Sequence, residues 1–407
     1  MTGVAARARD YPFASDAGIE VDPLFAELLE REPVSRIRLP YGGEGWLVVR
    51  HADVRLVMTD PRFSRALATG PGTPRLTEHP GSGQSILLKD PPEHTRLRRL
   101  VAGAFTERQV RRLHARVERL AGELADALAA TGPPADLVTG LALPLSIGVI
   151  CELLGVPAAD QERFRGWATV ALSRGGAAHP AHEVRAAMDA LADYLVEQIE
   201  LRRAPHAIDQ PAGDLLAELV RARDDTGRLS ELELVTIGAT LLTAGYENVA
   251  NTLANVVLRL VTGDGLWRRL GGGAWPLATA VEELLRHTMF GTGTNFARIA
   301  TEDVTIAGVL VRAGEAVFTS LPAANRDPRA FEQPHRLDLG RDPNPHVSFG
   351  QGPHHCLGAQ LARLELQTAL GVLLRRMPGL ALAVPAAELP WKRELIVRGV
   401  ESLPVRW

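Results

Sequence analysis

Between residues 92 and 262, apolar side chains recur at three- and four-residue spacing almost without interruption. That repeat lays one stripe of an α-helix against a core. It predicts helices over Pro92–Ala102, Glu107–Ala130, Leu143–Leu154, Ala181–Arg203, Leu215–Ala222 and Ser230–Thr262. The segment Leu232–Leu260 is long enough for about eight turns and is mostly apolar, yet it holds Gly238, Gly245 and the polar pair Glu247-Asn248. A long buried helix with a polar break is the expectation. Further helices are expected over Ala274–His287 and Leu357–Arg375, and a short one from Ala52. Strand-like runs are few. Pro33–Leu39 and Gly45–Val49 flank a Gly42-Gly43 turn and read as a hairpin, while Val304–Ile306, Val309–Val311 and Ala316–Thr319 read as short strands around Ala313-Gly314. Phe63 to Lys89 has little periodicity and is too long for a simple connector, as loops that cover a site often are. The fold class expected is mainly α with small β-sheets.

A composition of 46% hydrophobic and 23% charged residues is that of an ordinary packed protein. Length alone, at 407 residues, suggests two or three domains. A formal charge of -3 gives no general attraction to nucleic acid, although the arginines clustered from Arg96 to Arg99 and at Arg111 and Arg112 can dock a partner protein. The N-terminus has no apolar signal segment and no apolar run is long enough to span a bilayer, so a cytoplasmic protein without membrane contact is expected. Cys151 and Cys356 are far apart and outside any CxxC spacing, which suggests neither a disulfide framework nor a structural zinc site. Cys151 sits in an apolar helical pattern and reads as core. No strand-GxGxxG-helix unit for flavin or nicotinamide is present.

The candidate chemistry is concentrated in Phe349-Gly350-Gln351-Gly352-Pro353-His354-His355-Cys356-Leu357-Gly358, a glycine-rich loop that ends in a cysteine and opens into a helix. Glycines permit backbone turns closed to other residues and can aim amide N–H groups at the sulfur, and a helix N-terminus favours thiolate over thiol. A lone cysteine at a helix start is more often a small buried hydrophobe. The complete pattern, however, resembles the cysteine-loop signature of the cytochrome P450 family. That resemblance implies Cys356 as the axial ligand of the iron of haem b, a thiolate donating the electron density that favours O–O cleavage. It also implies Phe349, Gly350, His354 and Gly358 as residues around the cofactor.

Other stretches resemble the same family, in its order. Asp90 to Arg99 resembles the start of its C helix, which implies that His94 and Arg98, an i,i+4 pair on one helix face, reach a haem propionate; taken alone they would be a solvated basic face. Arg298 resembles the family's second propionate-binding arginine and alone would be a surface strand residue. Glu283-Leu284-Leu285-Arg286 resembles the structural ExxR motif. Its third partner is then Arg336 of Pro334-His335-Arg336-Leu337, where leucine replaces the family's phenylalanine. Without the other motifs, such i,i+3 pairs are common on helix surfaces. Ala324-Asn325-Arg326-Asp327-Pro328 resembles the family's turn before its meander, with Asp327 and Pro328 as turn formers.

Ala244-Gly245-Tyr246-Glu247-Asn248 resembles the family's A-G-x-[Asp/Glu]-Thr. The resemblance implies that Gly245 admits a ligand close to the backbone and that Glu247 helps deliver protons. Asn248 departs from it, because an amide lacks a hydroxyl's direct proton relay. Three explanations stand: a water held by Asn248, a proton supplied by the substrate, or a reaction that stops at an early stage of oxygen activation. The plainer readings are a buried acid neutralised locally and an asparagine that satisfies a helix carbonyl.

The resemblance places Ile86, Leu87, Thr240, Thr243, Ala244, Thr294 and Ile396 in the substrate wall. This uncharged set suits a sizeable, largely apolar small molecule, with Phe164 to Glu183, including Arg174-Gly175-Gly176, as a mobile lid. The implied protein is a single haem domain over 1–407 with no fused reductase, taking electrons from a separate ferredoxin and ferredoxin reductase. Its implied reaction is O2-dependent hydroxylation or epoxidation in bacterial secondary metabolism. Oxidative coupling or cyclisation without net oxygen insertion is the enzymatic alternative. A catalytically silent haem or partner-binding module is the alternative from another class, against which the retention of Cys356, Glu247, His94, Arg98 and Arg298 argues.

Overall fold

The structure is a computed structural model that describes residues 8–13, 18–70, 72–78, 83–173, 179–203, 214–225, 227–288, 296–392 and 397–407. It divides into two compact units: Met1–Gly83 with Ala278–Cys356 and Ile396–Arg398, and Gln84–Leu277 with Leu357–Leu395 and Gly399–Trp407.

The first unit is built on a six-stranded sheet in the order Arg9–Asp10, Val34–Arg38, Glu44–Val48, Ala316–Thr319, Arg298–Ala300, Phe63–Ser64. The expected hairpin is there, with Val34 opposite Val48 and Arg38 opposite Glu44. Apolar residues of the sheet face both ways, into two separate clusters. Ile37, Leu47, Ile299 and Phe318 point into one cluster with Phe25, Leu28 and Leu29 of the helix Leu24–Arg31. Val34, Val48, Ala300 and Val317 point into the other with Val54, Val57 and Met58 of the helix His51–Thr59. The three later strands keep their expected bounds but not their expected grouping. Val304–Ile306 and Val309–Val311 form a hairpin by themselves, turning at Ala307 and Gly308, whose φ values are 46° and 83°. This is the backbone that a two-residue hairpin turn demands. Ala316–Thr319 instead lies parallel to Glu44–Val48 in the large sheet.

The second unit is helical: Glu93–Ala102, Glu107–Thr131, Leu143–Leu154, Gln161–Ala171, Ala181–Arg203, Leu215–Asp224, Glu231–Thr262 and Ala359–Arg376 are its main helices. A small sheet of Ala381–Leu382, Pro404–Arg406 and Ala135–Asp136 accompanies them. The helix Gln161–Ala171 corrects part of the lid expectation, since Phe164 and Ala168 are buried in the core and Phe164 stacks edge-on against Tyr246 at 5.9 Å. Arg174, Gly175 and Gly176 lie outside the described residues.

The long central helix, Glu231–Thr262, is unbroken. Ser230 and Glu233 start it with a reciprocal cap, each side chain accepting the other's backbone N–H. The expected polar break is absent because the polar side chains satisfy the helix itself. Thr236, Thr240, Thr243, Asn248 and Thr252 each donate to the carbonyl four residues earlier, at 2.7 to 2.9 Å. Among the described residues no helix is long and apolar enough to cross a membrane.

Candidate functional site

In the first unit, residues 349–356 form a tight loop. The Cys356 N–H donates to the Phe349 carbonyl at 2.8 Å and the His355 N–H to that of Gly352 at 3.0 Å, across a single 3-10 turn at Gly352–His354. Gly350 and Gly352 have φ of 73° and 72°, which disfavours a side chain at either. At Gly352 a Cβ would also come within 2.8 Å of the Met58 carbonyl oxygen, so the loop presses on the end of the helix His51–Thr59. Gly352→Ala is therefore expected to lower the melting temperature by several degrees, through roughly 1–3 kcal/mol of strain. A thermal scan unchanged from the wild type would refute this. The result of the loop geometry is an exposed Cys356. Cys151, by contrast, is buried in the helix Leu143–Leu154, and burial, with the nearby Asp160 charge, pushes its thiol up to about 12. It is core, as its sequence context implied.

The loop is held from behind by a buried polar network in the same unit. Glu283 and Arg286 have no side-chain exposure and pair at 2.7 Å. The Glu283 carboxylate also accepts from Arg341 Nε at 3.1 Å, Asn344 Nδ2 at 3.0 Å and the Asp338 N–H at 2.9 Å. Arg286 donates to the carbonyls of Asn325, Pro334 and Arg336 at 2.7, 2.8 and 3.1 Å. Arg336 thus enters only through its carbonyl; its exposed side chain reaches Gln333. The third charge is Arg341, which sequence comparison by motif missed. Its position is decided by the turn between residues 336 and 341, where the Arg341 N–H donates to the Asp338 carbonyl. Asn325 carries the network to the loop, accepting the Val347 N–H at 2.9 Å and donating to Ser348 Oγ at 2.9 Å. Asp327, expected only to form a turn, also accepts the His51 N–H at 2.9 Å at the start of the helix His51–Thr59. Arg298 opens its strand with 2% exposure, so it is not a surface residue.

In the second unit, His94 and Arg98 lie on one face of the helix Glu93–Ala102, His94 buried and Arg98 half-buried. The cluster expected to dock a partner is partly engaged within the unit, since Arg96 donates to the Arg228 carbonyl at 2.7 Å and pairs with Glu233 at the start of the central helix. Gly358 is the N-cap of the helix Ala359–Arg376. Ile86 and Leu87 are half-buried in a 3-10 turn, Ile86–Leu88, which Ser85 Oγ ties to Thr240 Oγ1 at 3.4 Å. Thr240 and Thr243 are half-buried and Ala244 is exposed, on a face of the central helix that is less buried than its opposite side. Thr294 and Ile396 lie outside the described residues. A Cβ at Gly245 would meet Ile150 at 2.8 Å, so this glycine lets the helix Leu143–Leu154 pack closely.

Glu247 and Asn248 face different partners. Glu247 is buried, and its Oε1 accepts from Lys392 Nζ at 2.5 Å and Asn251 Nδ2 at 3.2 Å. Asn248 is half-buried and donates to the Ala244 carbonyl.

Residues 276–378, which hold the Glu283–Arg286 pair and the cysteine loop, match the family model described as Cytochrome P450. Similarity extends far beyond that segment. Nocardicin C N-oxygenase of Nocardia uniformis subsp. tsuyamanensis is 48% identical over 98% of this chain and 98% of its own. The chain belongs to the cytochrome P450 family. Mycinamicin IV hydroxylase/epoxidase of Micromonospora griseorubida is 46% identical over 99% of this chain and 100% of its own. Among solved structures, cytochrome P450mel with biaryl coupling reactivity superposes with a TM-score of 0.92 at 41% identity, covering 98% of this chain and 100% of the other. This P450 is a monooxygenase with a haem-thiolate cofactor, served by redox partners and O2. In the first unit the residues fit that cofactor, with Cys356 exposed on a loop of constrained glycines and the buried Arg298 guanidinium as a donor suited to a carboxylate; in the second unit the buried His94 imidazole is a donor of the same kind.

Proposed function

We propose that this P450 hydroxylates or epoxidises a sizeable, largely apolar small molecule in bacterial secondary metabolism. Cys356 ligates the iron of haem b, Arg298, His94 and Arg98 hold its propionates, and Phe349, Gly350, His354 and Gly358 surround the ring. The chain works as a single haem domain in the cytoplasm, with a ferredoxin and its reductase as electron donors. The observation that carries the reading is the exposed Cys356, presented by a loop whose backbone only glycine enters easily. Bound haem supplies the activation of dioxygen; the protein supplies the wall and the proton path.

Ile86, Leu87, Thr240, Thr243 and Ala244 contribute no charge to that wall. Thr240 and Thr243 already donate their hydroxyl protons to the helix, so toward a substrate they are acceptors. A substrate bearing an O–H or N–H beside them is matched better than one bearing only carbonyls.

Asn248 already donates to Ala244, yet it keeps one N–H and its carbonyl oxygen, enough to hold a water. Asn248→Thr is expected to change the ratio of peroxide to product while leaving the resting haem spectrum intact. An unchanged ratio with the true substrate would remove Asn248 from proton delivery. Oxidative coupling is the second reading, favoured by this departure from a hydroxyl and by the coupling reactivity named for P450mel. Product mass separates the two, because oxygenation adds an oxygen atom whereas coupling removes hydrogens.

A further inference from the structure

Of the 45 basic residues in this chain, only Lys89 and Lys392 are lysines. Lys392 belongs to an antiparallel pair of segments near the C-terminus, where Trp391 bridges Val400 and the Lys392 N–H donates to the Gly399 carbonyl at 2.9 Å. That pairing aims its ammonium at the central helix. Its Nζ donates to Glu247 Oε1 at 2.5 Å and to Asn251 Oδ1 at 2.9 Å, while Asn251 Nδ2 donates to the same Glu247 oxygen. All three side chains are held out of solvent, with exposure of 14% for Lys392 and 2% for Glu247, and Asn251 buried.

Gly399 makes this closure possible. A Cβ there would lie 2.4 Å from Asn251 Oδ1 and 2.6 Å from its Cγ, so any side chain would displace the amide that completes the triad. A compact ammonium suits the space better than a planar guanidinium, which explains a lysine here in a chain whose basic residues are nearly all arginine.

We infer that Lys392 is a positioning residue for Glu247: with Asn251 and Gly399 it clamps the carboxylate and thereby sets how that acid handles protons during turnover. This rests on the reading of Glu247 as the proton-handling acid. An ion pair so enclosed can also be purely structural, so the test needs a readout that stability alone does not move.

The clamp itself is visible by NMR. In 15N-lysine-labelled holoenzyme, reduced and bound to carbon monoxide so that the haem is diamagnetic, Lys392 should give a slowly exchanging ammonium signal that E247Q and G399A abolish. Its function is visible in hydrogen-peroxide-supported oxidation of guaiacol. K392M should slow turnover roughly tenfold with little change in the KM for guaiacol, less than the full loss of a proton-transfer group because Asn251 remains, and E247Q, which removes that group, should slow it at least as much. The double variant should be no slower than E247Q alone, and K392R should recover part of the rate. Absence of the protected ammonium signal, or K392M turning over like the wild type while E247Q is slow, overturns the inference. If E247Q itself turns over normally, the reading of Glu247 fails and the inference fails with it, whatever the ammonium signal shows. Should K392M not fold, G399A and K392R carry the same comparison: a rate equal to the wild type in both overturns the inference, and a slowed G399A supports it.

Discussion

Reduced wild-type protein under carbon monoxide is expected to show a strongly red-shifted Soret band, and Cys356→Ala is expected to lose it entirely. The band reports a thiolate opposite the carbon monoxide, and the only other cysteine cannot substitute. Cys151 is buried in a helix, its thiol is raised to about 12, and thiolate is the form that ligates. Replacement by alanine adds no strain at an exposed position, so the folded protein should persist while the ligand disappears. A red-shifted band surviving in the variant would remove Cys356 from the metal.

Arg286→Met is expected to cause the largest loss of stability, about 3–5 kcal/mol. The change leaves Glu283 with no side-chain exposure and without its main charge partner, and it releases three backbone carbonyls at Asn325, Pro334 and Arg336. Because Asn325 anchors Val347 and Ser348 just before the cysteine loop, haem content should fall along with stability. Arg336→Ala is expected to change stability by no more than about 0.5 kcal/mol, since that exposed side chain makes a long hydrogen bond to Gln333 and its carbonyl is kept. Arg341→Ala should fall between them, because it breaks a pair whose arginine is 11% exposed. Denaturant unfolding and haem absorbance on the three variants separate these cases. Equal effects at Arg336 and Arg341 would contradict the geometry.

The contrast between Arg336 and Arg341 shows what kind of information a motif carries. Glu283 and Arg286 are legible as a pair because one helix presents them three residues apart. Their third partner arrives from an irregular segment, where no periodicity ties residue number to direction. Arg298 was separable from a surface strand residue only by its resemblance, and its burial follows from a place inside the six-stranded sheet. The strand Ala316–Thr319 has the bounds its sequence predicts, but its partner, Glu44–Val48, lies far away in sequence, where no local pattern ties the two together.

By itself the sequence determined the mainly helical class, the ends of most helices, the cysteine loop and the family. These follow from local rules, such as apolar spacing and glycines where the backbone turns sharply. Tertiary structure alone decided what each buried polar group meets. It turned Gly245 toward Ile150, tied Asn248 back to its own helix and brought Lys392 to Glu247. The physical reason is that burying an acid requires a partner at hydrogen-bond distance, and the chain can bring that partner from any distance along its length.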